Sequence, residues 1–388
     1  MNELTAAQQK ADQWMKARSQ QIWKHFGPTW LNNVRKNIPQ INETAANHQL
    51  EDAFKRAADR IDSDQVLIFA PGASLKQWEP YMKELAPKLQ QAGIIIATPT
   101  VLNWLRMHGV EPTILMASDS SPLQTEPLKV APSTGNMMLL VPPLVDRSLV
   151  KAFPRSMVYW YNSLIMDEDG GVEGLDYNEF MLMLLQPLHQ FIVQAGSVTN
   201  QAVIAARSAI DTGIISAQRI VLIGADYAYH GGNGRVPMPL QHGETEDGEP
   251  VWYCPVYPGI PVEPDSIMWD GMPTNRRMVV YKKNLLYYWW ATKSPIYSCS
   301  EGILNEFPYV SLFDIADNKY PEYLNKDEMR EMAYEFLEVQ FPQEFSALFD
   351  EELQGETDEG RNASGYGKDD LRDPRQIRVE SPARKELL

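Results

Sequence analysis

Short, unbroken apolar runs recur along this 388-residue chain, and they constrain its fold more than any other feature. Each run is about as long as one β-strand, and its apolar residues are consecutive rather than alternating with polar ones. A strand of that kind has no polar face, so both faces must be covered, which is typical of parallel sheets. The runs are residues 66–70, 94–97, 113–117, 137–141, 157–161 and 219–223, and residues 295–300 are predicted as a further short strand.

Helix-like stretches separate several of these runs. They include residues 76–91, 100–108, 198–210 and 274–292. Strands that alternate with helices build a sheet whose two faces are covered by those helices. The sequence therefore predicts an α/β fold with a Rossmann-like, mostly parallel sheet and helices on both faces.

Four regions are predicted along the chain. The N-terminus has apolar residues at helical spacing, including helices over 29–41 and 49–61, and we interpret it as a helical cap or an interaction arm. Residues 231–264 are rich in Gly, Pro, Glu and aromatic residues and are predicted as a long loop or lid. The predicted regions are a helical region (1–61), the Rossmann-like domain (62–310), a second helical region (311–345) and an acidic, disordered tail (346–388).

Charge and composition exclude several classes of function. The 35 Lys and Arg residues against 51 Asp and Glu residues give a net charge of −16. Nucleic acid is therefore not the expected partner, because neutralising phosphates requires Lys and Arg. No apolar run approaches the roughly 20 residues that span a bilayer. Only Cys254 and Cys299 are present in the sequence, so we predict a reducing, cytoplasmic location.

Two predicted helix starts are candidate anion sites, because ligands of open α/β sheets bind beyond the carboxyl ends of the strands. After the first strand, Gly72 permits a close backbone approach and Ser74 offers a hydroxyl. Gly196 and Ser197 open the helix predicted over 198–210. Free N–H groups at both places suit a phosphate. An ordinary strand–helix turn and a capping serine are the respective alternatives.

The segment that follows the strand over 219–223 contains several residues that could bind a ligand or take part in catalysis. Asp226 stands where carboxylates orient a ribose or a base, and Tyr227 and Tyr229 offer rings for stacking or hydroxyls for a phosphate. His230 is a candidate acid or base near neutral pH. The alternative is a buried tyrosine pair beside a solvated histidine.

Metal ligands are only weakly indicated. Asp119, after the third strand, is a candidate ligand for a divalent cation, or else the cap of a turn. His230 and His242 lie in the long-loop region without a diagnostic metal-ligand spacing.

Taken in order, these segments resemble a known family. The segments that carry the resemblance, between residues 62 and 310, are GASL, ILMASDSSP, GSVTNQAVIAARSAI, RIVLIGADYAYHGG and YSCSEGI. They resemble the domain shared by motility accessory factors, which glycosylate flagellin, and archaeal 6-hydroxymethylpterin pyrophosphokinases. That domain is similar to bacterial sialyltransferases with a modified Rossmann-like fold. Residues 196–229 carry the most specific part.

This resemblance implies a nucleotide-phosphate site in a glycosyltransferase-like enzyme. The donor implied is a nucleotide-activated sugar, such as a CMP-linked nonulosonic acid, and the acceptor is a hydroxyl of a protein or glycan. The residues implied in nucleotide binding are Gly72, Ser74, Leu75, Gly196, Ser197, Asn200, Asp226, Tyr227 and Tyr229. Ser300, Glu301 and Gly302 match a later Thr/Ser-Glu-Gly-Gly motif. The candidate catalytic residues are Glu301 and, as the base, His230 or His242.

This sequence departs from the family pattern at three points. Residues 70–75 read A-P-G-A-S-L where relatives have G-x-G-P-S-L, so Pro71 removes one backbone donor. Ile303 stands where the later motif has its second glycine. The chain is also shorter than many flagellin-modifying relatives, so flagellin is not implied as the acceptor.

Three functional hypotheses follow. The first is a glycosyltransferase that uses a nucleotide-activated sugar. The second is a Mg²⁺-dependent pyrophosphokinase, in which Asp119 and Asp226 hold the ion while diphosphate passes from ATP to a hydroxymethyl group. The third is a non-catalytic binding or scaffold protein that keeps the fold. The altered first loop favours the third hypothesis, whereas Asp226 and residues 196–200 oppose it.

Overall fold

We describe the fold from a computed structural model. The residues that it describes are 27–130, 135–164, 188–193, 196–228, 241–244, 250–253, 261–262, 266–269, 272–292 and 295–323. They all belong to one compact unit, residues 1–333. The predicted tail, 346–388, lies outside the described residues.

Seven of the described strands form one parallel sheet. The strands, in chain order, are β1 (Gln65–Phe69), β2 (Ile94–Ala97), β3 (Ile114–Met116), β4 (Met138–Val141), β5 (Val158–Trp160), β6 (Asn162–Leu164), β7 (Phe191–Val193), β8 (Arg219–Ile223), β9 (Gln241–Glu244), β10 (Pro250–Tyr253), β11 (Pro261–Val262), β12 (Ser266–Trp269), β13 (Met272–Asn275) and β14 (Ile296–Cys299). The sheet has the order β14-β8-β1-β2-β3-β4-β5. Six of its strands correspond to the predicted apolar runs and β14 to the short strand predicted over 295–300, so the predicted parallel α/β fold is confirmed.

Helices precede and connect these strands. They are α1 (27–44), α2 (Leu50–Ala58), α3 (Met82–Ala92), α4 (Leu102–Met107), α5 (Glu126–Val130), α6 (Arg147–Lys151), α7 (Val198–Asp211), α8 (Arg276–Thr292) and α9 (Leu312–Ala316). The helix predicted over 76–91 is divided into a 3₁₀ helix, Ala73–Tyr81, and α3. Pro80 explains the division, because proline lacks the N–H of an α-helical hydrogen bond and its ring crowds the preceding turn.

The two faces of the sheet are covered by different helices. In β1 every residue is buried, and successive side chains point to opposite faces. Leu67 and Phe69 share a hydrophobic cluster with Met82 and Leu85 of α3, while α7 contacts β1 outside that cluster. The unbroken apolar runs therefore reflect burial on both faces.

Helix α1 lies across the carboxyl ends of β3 and β4. The side-chain amide of Asn37 donates hydrogen bonds to the carbonyl oxygens of Pro143 and Val145, at 2.8 and 2.9 Å. Asn33 donates to the carbonyl oxygens of Ser120 and Leu144 in the same way. This buried polar stripe satisfies loop carbonyls that the sheet leaves unpaired. Helix α1 is therefore a cap on this part of the sheet.

Residues 231–264 are not simply a loop where the structure describes them. Strands β9, β10 and β11 form a small antiparallel sheet, with Pro250 opposite Glu244 and Tyr253 opposite Gln241. Strands β12 and β13 form a separate antiparallel pair. The prediction missed these strands because backbone pairing holds them, and they lack the apolar pattern that periodicity detects. Within the described chain, no helix combines the length and apolar composition needed to cross a bilayer.

Candidate functional site

The order of the strands defines where a ligand site is expected. Strands β2 to β5 follow one another on one side of β1, whereas β8 and β14 lie on its other side. The chain order therefore reverses between β1 and β8, and open α/β sheets bind ligands at the carboxyl ends beside such a switch point. Residues 70–74, 224–227 and 300–303 follow β1, β8 and β14, so the topology brings these three loops together.

Asp226 and Ser74 join the first two loops. One carboxylate oxygen of Asp226 accepts the backbone N–H of Ser74 at 2.8 Å, and the other accepts the Ser74 hydroxyl at 2.5 Å. The two residues are 2% and 4% exposed. The carboxylate thus occupies the position that an external anion would take at the start of the 3₁₀ helix Ala73–Tyr81. Leu75, also predicted to bind the nucleotide, is fully buried in the core.

Glycines allow the loops to touch. A Cβ atom on Gly72 would lie 2.1 Å from the carbonyl oxygen of Gly224 and 2.5 Å from the carboxyl carbon of Asp226. A Cβ atom on Gly302 would lie 1.8 Å from the carbonyl oxygen of Asp226. No side chain fits at either position, so these glycines are required by close backbone contact.

The loop after β14 is hydrogen-bonded to the loop after β8. The Ala225 N–H donates to the Ser300 hydroxyl at 2.8 Å, and the Ile303 N–H donates to the carbonyl oxygen of Asp226 at 2.8 Å. Glu301, between these two contacts, is exposed. The carboxylate of Glu301, which was predicted to be catalytic, therefore lies at the surface on a loop that these two hydrogen bonds hold in place.

The start of α7 lies beside the same loops. Ser197 is the N-cap residue, and its hydroxyl accepts the N–H of Asn200 at 3.1 Å. The Asn200 side-chain oxygen accepts the Tyr227 hydroxyl at 2.5 Å, and its amide donates to the Tyr281 carbonyl oxygen at 2.8 Å. Burial raises the pKa of Tyr227, so its hydroxyl stays a neutral donor. Gly196 precedes the cap with φ of +86°.

A buried ion pair supports this region and was not predicted. Lys282 of α8 lies 2.6 Å from a carboxylate oxygen of Glu306 and donates a hydrogen bond to the carbonyl oxygen of Ile303. Both charged side chains are buried, and burial raises the pKa of Glu306. Helical spacing contained the signal, because Lys282 shares one face of α8 with the buried Val279 and Leu286.

Strand β6 begins with two buried polar residues that the sequence analysis did not single out. Asn162 and Ser163 are fully buried directly beyond β5. The neighbouring Tyr161 donates its hydroxyl hydrogen bond to the Gln201 side chain, in the first turn of α7, at 3.0 Å. The rule applied to the other strand ends would have found these residues, because they directly follow the apolar run 157–161.

The remaining predicted site residues have no described contact with this cluster. Asp119 is exposed and accepts the Ser121 N–H at 2.8 Å, which is the turn-cap alternative. His242 belongs to β9, and only its backbone is described. Tyr229 and His230 lie outside the described residues.

Asp119 and Asp226 do not form a joint magnesium site. They follow β3 and β8, which are three strand spacings apart in the sheet, or roughly 14 Å. Each carboxylate also accepts hydrogen bonds from neighbouring serines. Among the described residues, no group of three or more His, Cys, Asp or Glu side chains is arranged to hold a metal ion.

A family comparison covers most of this architecture. The profile of the family described as 6-hydroxymethylpterin diphosphokinase MptE-like matches residues 32–232. The match covers more than half of the chain and extends from α1 through β8 to the Asp226 loop. The chain belongs to this MptE-like family. The resemblance that the motifs indicated is therefore confirmed, whereas the loop after β14 lies beyond the matched residues.

A solved structure is also similar to this chain. It is the Maf glycosyltransferase from Magnetospirillum magneticum AMB-1, with 14% sequence identity and a TM-score of 0.42. The alignment covers 76% of this chain and 42% of that one, so this chain spans less than half the length of that protein. No curated protein matches the sequence.

Proposed function

We propose that this MptE-like protein is a transferase that binds a nucleotide-activated sugar and transfers the sugar to a hydroxyl of a protein or glycan. The observation that carries the proposal is the start of α7 beside the joined loops at the switch point of the sheet. This is where α/β folds bind phosphate-bearing ligands. The motif resemblance supports a CMP-linked donor.

The ligand phosphate is assigned to α7 rather than to the first loop. Asp226 already uses the N–H and hydroxyl of Ser74. In α7, Ser197 accepts the N–H of Asn200, and the N–H groups of Val198 and Thr199 have no acceptor among the described residues. The 14-residue helix adds the positive end of its dipole.

The proposed reaction is displacement at the anomeric carbon of the donor sugar. The bond from that carbon to the acceptor oxygen forms, the bond to the phosphate oxygen breaks, and the acceptor proton passes to a base. Three residues are candidates for the base. The structure describes the side chain of Glu301, and the other two candidates are His230 and His242. The N–H groups at the start of α7 would stabilise the charge on the departing nucleotide.

Diphosphate transfer from ATP is the second candidate, because the family description names a diphosphokinase. Such a reaction requires a divalent cation on the nucleotide phosphates. Asp119 and Asp226 do not supply a joint site for it, so this candidate requires other ligands. A non-catalytic protein that keeps the fold is the third.

Thermal-shift measurements separate these candidates. The compounds are CMP, CMP-N-acetylneuraminate, UDP, and ATP with and without Mg²⁺. Stabilisation by CMP and by the CMP-sugar is expected. Stabilisation by ATP with Mg²⁺ but not by CMP would overturn glycosyl transfer in favour of diphosphate transfer, and no response to any nucleotide would favour the non-catalytic protein.

A proline substitution tests the assigned phosphate position. Val198→Pro removes one N–H at the first position of α7, where proline is well tolerated, and Ser197 already has the extended backbone that precedes proline. We expect an unchanged melting temperature and roughly threefold to tenfold weaker CMP binding, from the loss of one hydrogen bond. Unchanged CMP affinity would place the phosphate elsewhere.

Glu301→Gln tests the base. Because the Glu301 side chain is exposed, its substitution should leave the stability of the protein unchanged. We therefore expect turnover to fall while the melting temperature and the CMP affinity stay constant.

We also propose a cytoplasmic location, because the sequence has only two cysteines and Cys299 is a buried free thiol.

A further inference from the structure

Strand β6 carries the path of β5 beyond the end of the main sheet. The Tyr161 N–H still donates to Val141 of β4, at 3.2 Å, whereas the next N–H, of Asn162, donates to Gln190 at 2.7 Å. Strand β6 then pairs with β7 in parallel. Strand β7 lies shortly before α7 in the chain and contacts it, so β6 is connected to α7 through β7.

Two consecutive residues of β6 have buried polar groups that no described residue bonds. Asn162 and Ser163 are both 0% exposed. Both side-chain polar atoms of Asn162 and the hydroxyl of Ser163 have no hydrogen-bond partner among the residues that the structure describes. An unsatisfied buried group costs about 1–3 kcal/mol, and most buried polar side chains in native proteins have partners. A buried hydroxyl of this kind is a candidate hydrogen-bonding group for a polar ligand, provided that it lies on the side of the strand where the ligand binds.

The two side chains point in opposite directions. Successive residues of a strand alternate between its faces, so Ser163 lies on the same side as Tyr161 and opposite to Asn162. The Tyr161 hydroxyl reaches Gln201 in the first turn of α7. The Ser163 hydroxyl is therefore expected on the side of β6 that faces α7, whose first N–H groups, of Val198 and Thr199, have no acceptor among the described residues.

We propose that Ser163 is a ligand-binding residue of this site. Its hydroxyl hydrogen-bonds a neutral hydroxyl or carbonyl group of the nucleotide-sugar whose phosphate lies at the start of α7. A neutral group is favoured because the side chains on this face, Tyr161, Ser163 and Gln201, carry no charge, and burial raises the pKa of Tyr161. The proposal rests on the proposed function, whose phosphate position it shares.

Ser163→Ala is the test, with Asn162→Ala as its matched control on the opposite face. Isothermal titration calorimetry with CMP-N-acetylneuraminate should show roughly threefold to tenfold weaker binding for Ser163→Ala, the effect of one neutral hydrogen bond. Binding by Asn162→Ala should match that of the wild type. The melting temperature of Ser163→Ala should be unchanged or higher, because an unsatisfied hydroxyl has been removed.

The outcomes distinguish the two proposals. Wild-type protein that binds neither CMP nor the CMP-sugar would overturn both. Wild-type binding with equal affinity in Ser163→Ala would overturn only the role of Ser163. Equal weakening by Ser163→Ala and Asn162→Ala would also overturn it, because the effect would then come from a general disturbance of β6. A drop in the melting temperature of Ser163→Ala as large as that of Ser74→Ala would also overturn the role of Ser163. The Ser74 hydroxyl is hydrogen-bonded to Asp226, so its loss shows the effect of removing a hydroxyl that has a partner within the protein.

Discussion

Asp226 joins two loops through its own carboxylate, which accepts both the N–H and the hydroxyl of Ser74. A carboxylate at the end of a strand is a common ligand-binding group, and the sequence analysis assigned it that role. In the folded chain it is buried and serves as an internal anion for a helix start. Its substitution therefore affects stability before it affects binding.

Asp226→Ala should lower the free energy of unfolding by about 2–4 kcal/mol, because two hydrogen bonds to a charged acceptor are lost and buried donors stay unpaired. Formate should restore part of this stability by occupying the carboxylate position, whereas chloride at equal ionic strength should restore less. Urea unfolding measures both effects. Asp119→Ala is the control, since Asp119 is exposed. An Asp226→Ala protein as stable as the wild type would contradict the assigned contact.

Gly302→Ala should be among the most destabilising alanine substitutions at glycine. The new Cβ atom would lie 1.8 Å from the Asp226 carbonyl oxygen, so backbone must move, at a cost of about 3–5 kcal/mol. Gly213→Ala is the comparison. A Cβ atom on Gly213 would have no neighbour within 4 Å, so the expected loss is only the cost of about 1–2 kcal/mol for holding alanine at the left-handed φ of +69°. Thermal or urea unfolding compares them, and equal losses would show that Gly302 is not tightly packed.

At the scale of elements, one turn of α8 supports both halves of the site. The Tyr281 carbonyl oxygen accepts a hydrogen bond from Asn200 at the start of α7. The next residue, Lys282, binds Ile303 and Glu306 in the loop after β14. The geometry of the candidate site thus depends on a helix that contributes no predicted ligand contact.

Lys282→Met should destabilise the protein by about 3–5 kcal/mol, because Glu306 is left as an unpaired buried charge. Combining Lys282→Met with Glu306→Leu should recover most of that loss, since an apolar pair carries no desolvation cost. Chemical unfolding of the single and double variants measures the difference. A double variant less stable than Lys282→Met alone would argue against a simple ion pair.

Prediction at the element scale succeeded where the signal is local. The apolar runs located six of the seven strands of the main sheet, because each of these strands is buried on both faces along its own length, and β14 was predicted as a short strand. Pro80 altered the form of one helix without moving the strands around it. Strands β9 to β11 were missed because their pairing partners, rather than their own patterns, make them strands.

At the scale of the whole molecule, many tyrosines are buried in one compact unit. Burial raises the pKa of Tyr161, Tyr227, Tyr288, Tyr297, Tyr320 and Tyr323, and it raises the pKa of Tyr288 to about 12. In the unfolded chain these hydroxyls ionise near pH 10. Between about pH 10 and the raised pKa values, the folded state binds more protons than the unfolded state does. The free energy of unfolding therefore falls as the pH rises.

The protein should therefore keep its full tyrosine-dependent stability below about pH 10 and lose it progressively above that pH. Tyrosinate absorbance and far-ultraviolet circular dichroism, followed together, should change in one cooperative step for the buried tyrosines. Ionisation of all tyrosines near pH 10 with unchanged circular dichroism would contradict their burial. Tyr161→Phe should reduce the alkaline loss of stability, because one raised pKa is removed.

By itself, the sequence determined the α/β fold, the seven strands of its sheet and the polar residues at the strand ends. These are local properties, readable from neighbouring residues. Only the tertiary structure decided which groups those polar residues meet. Ser74 and Asp226 are 152 positions apart in the chain, and Tyr161 and Gln201 are 40 apart. Such partnerships arise from the order of the strands, because parallel strands bring their carboxyl ends together whatever their separation in sequence.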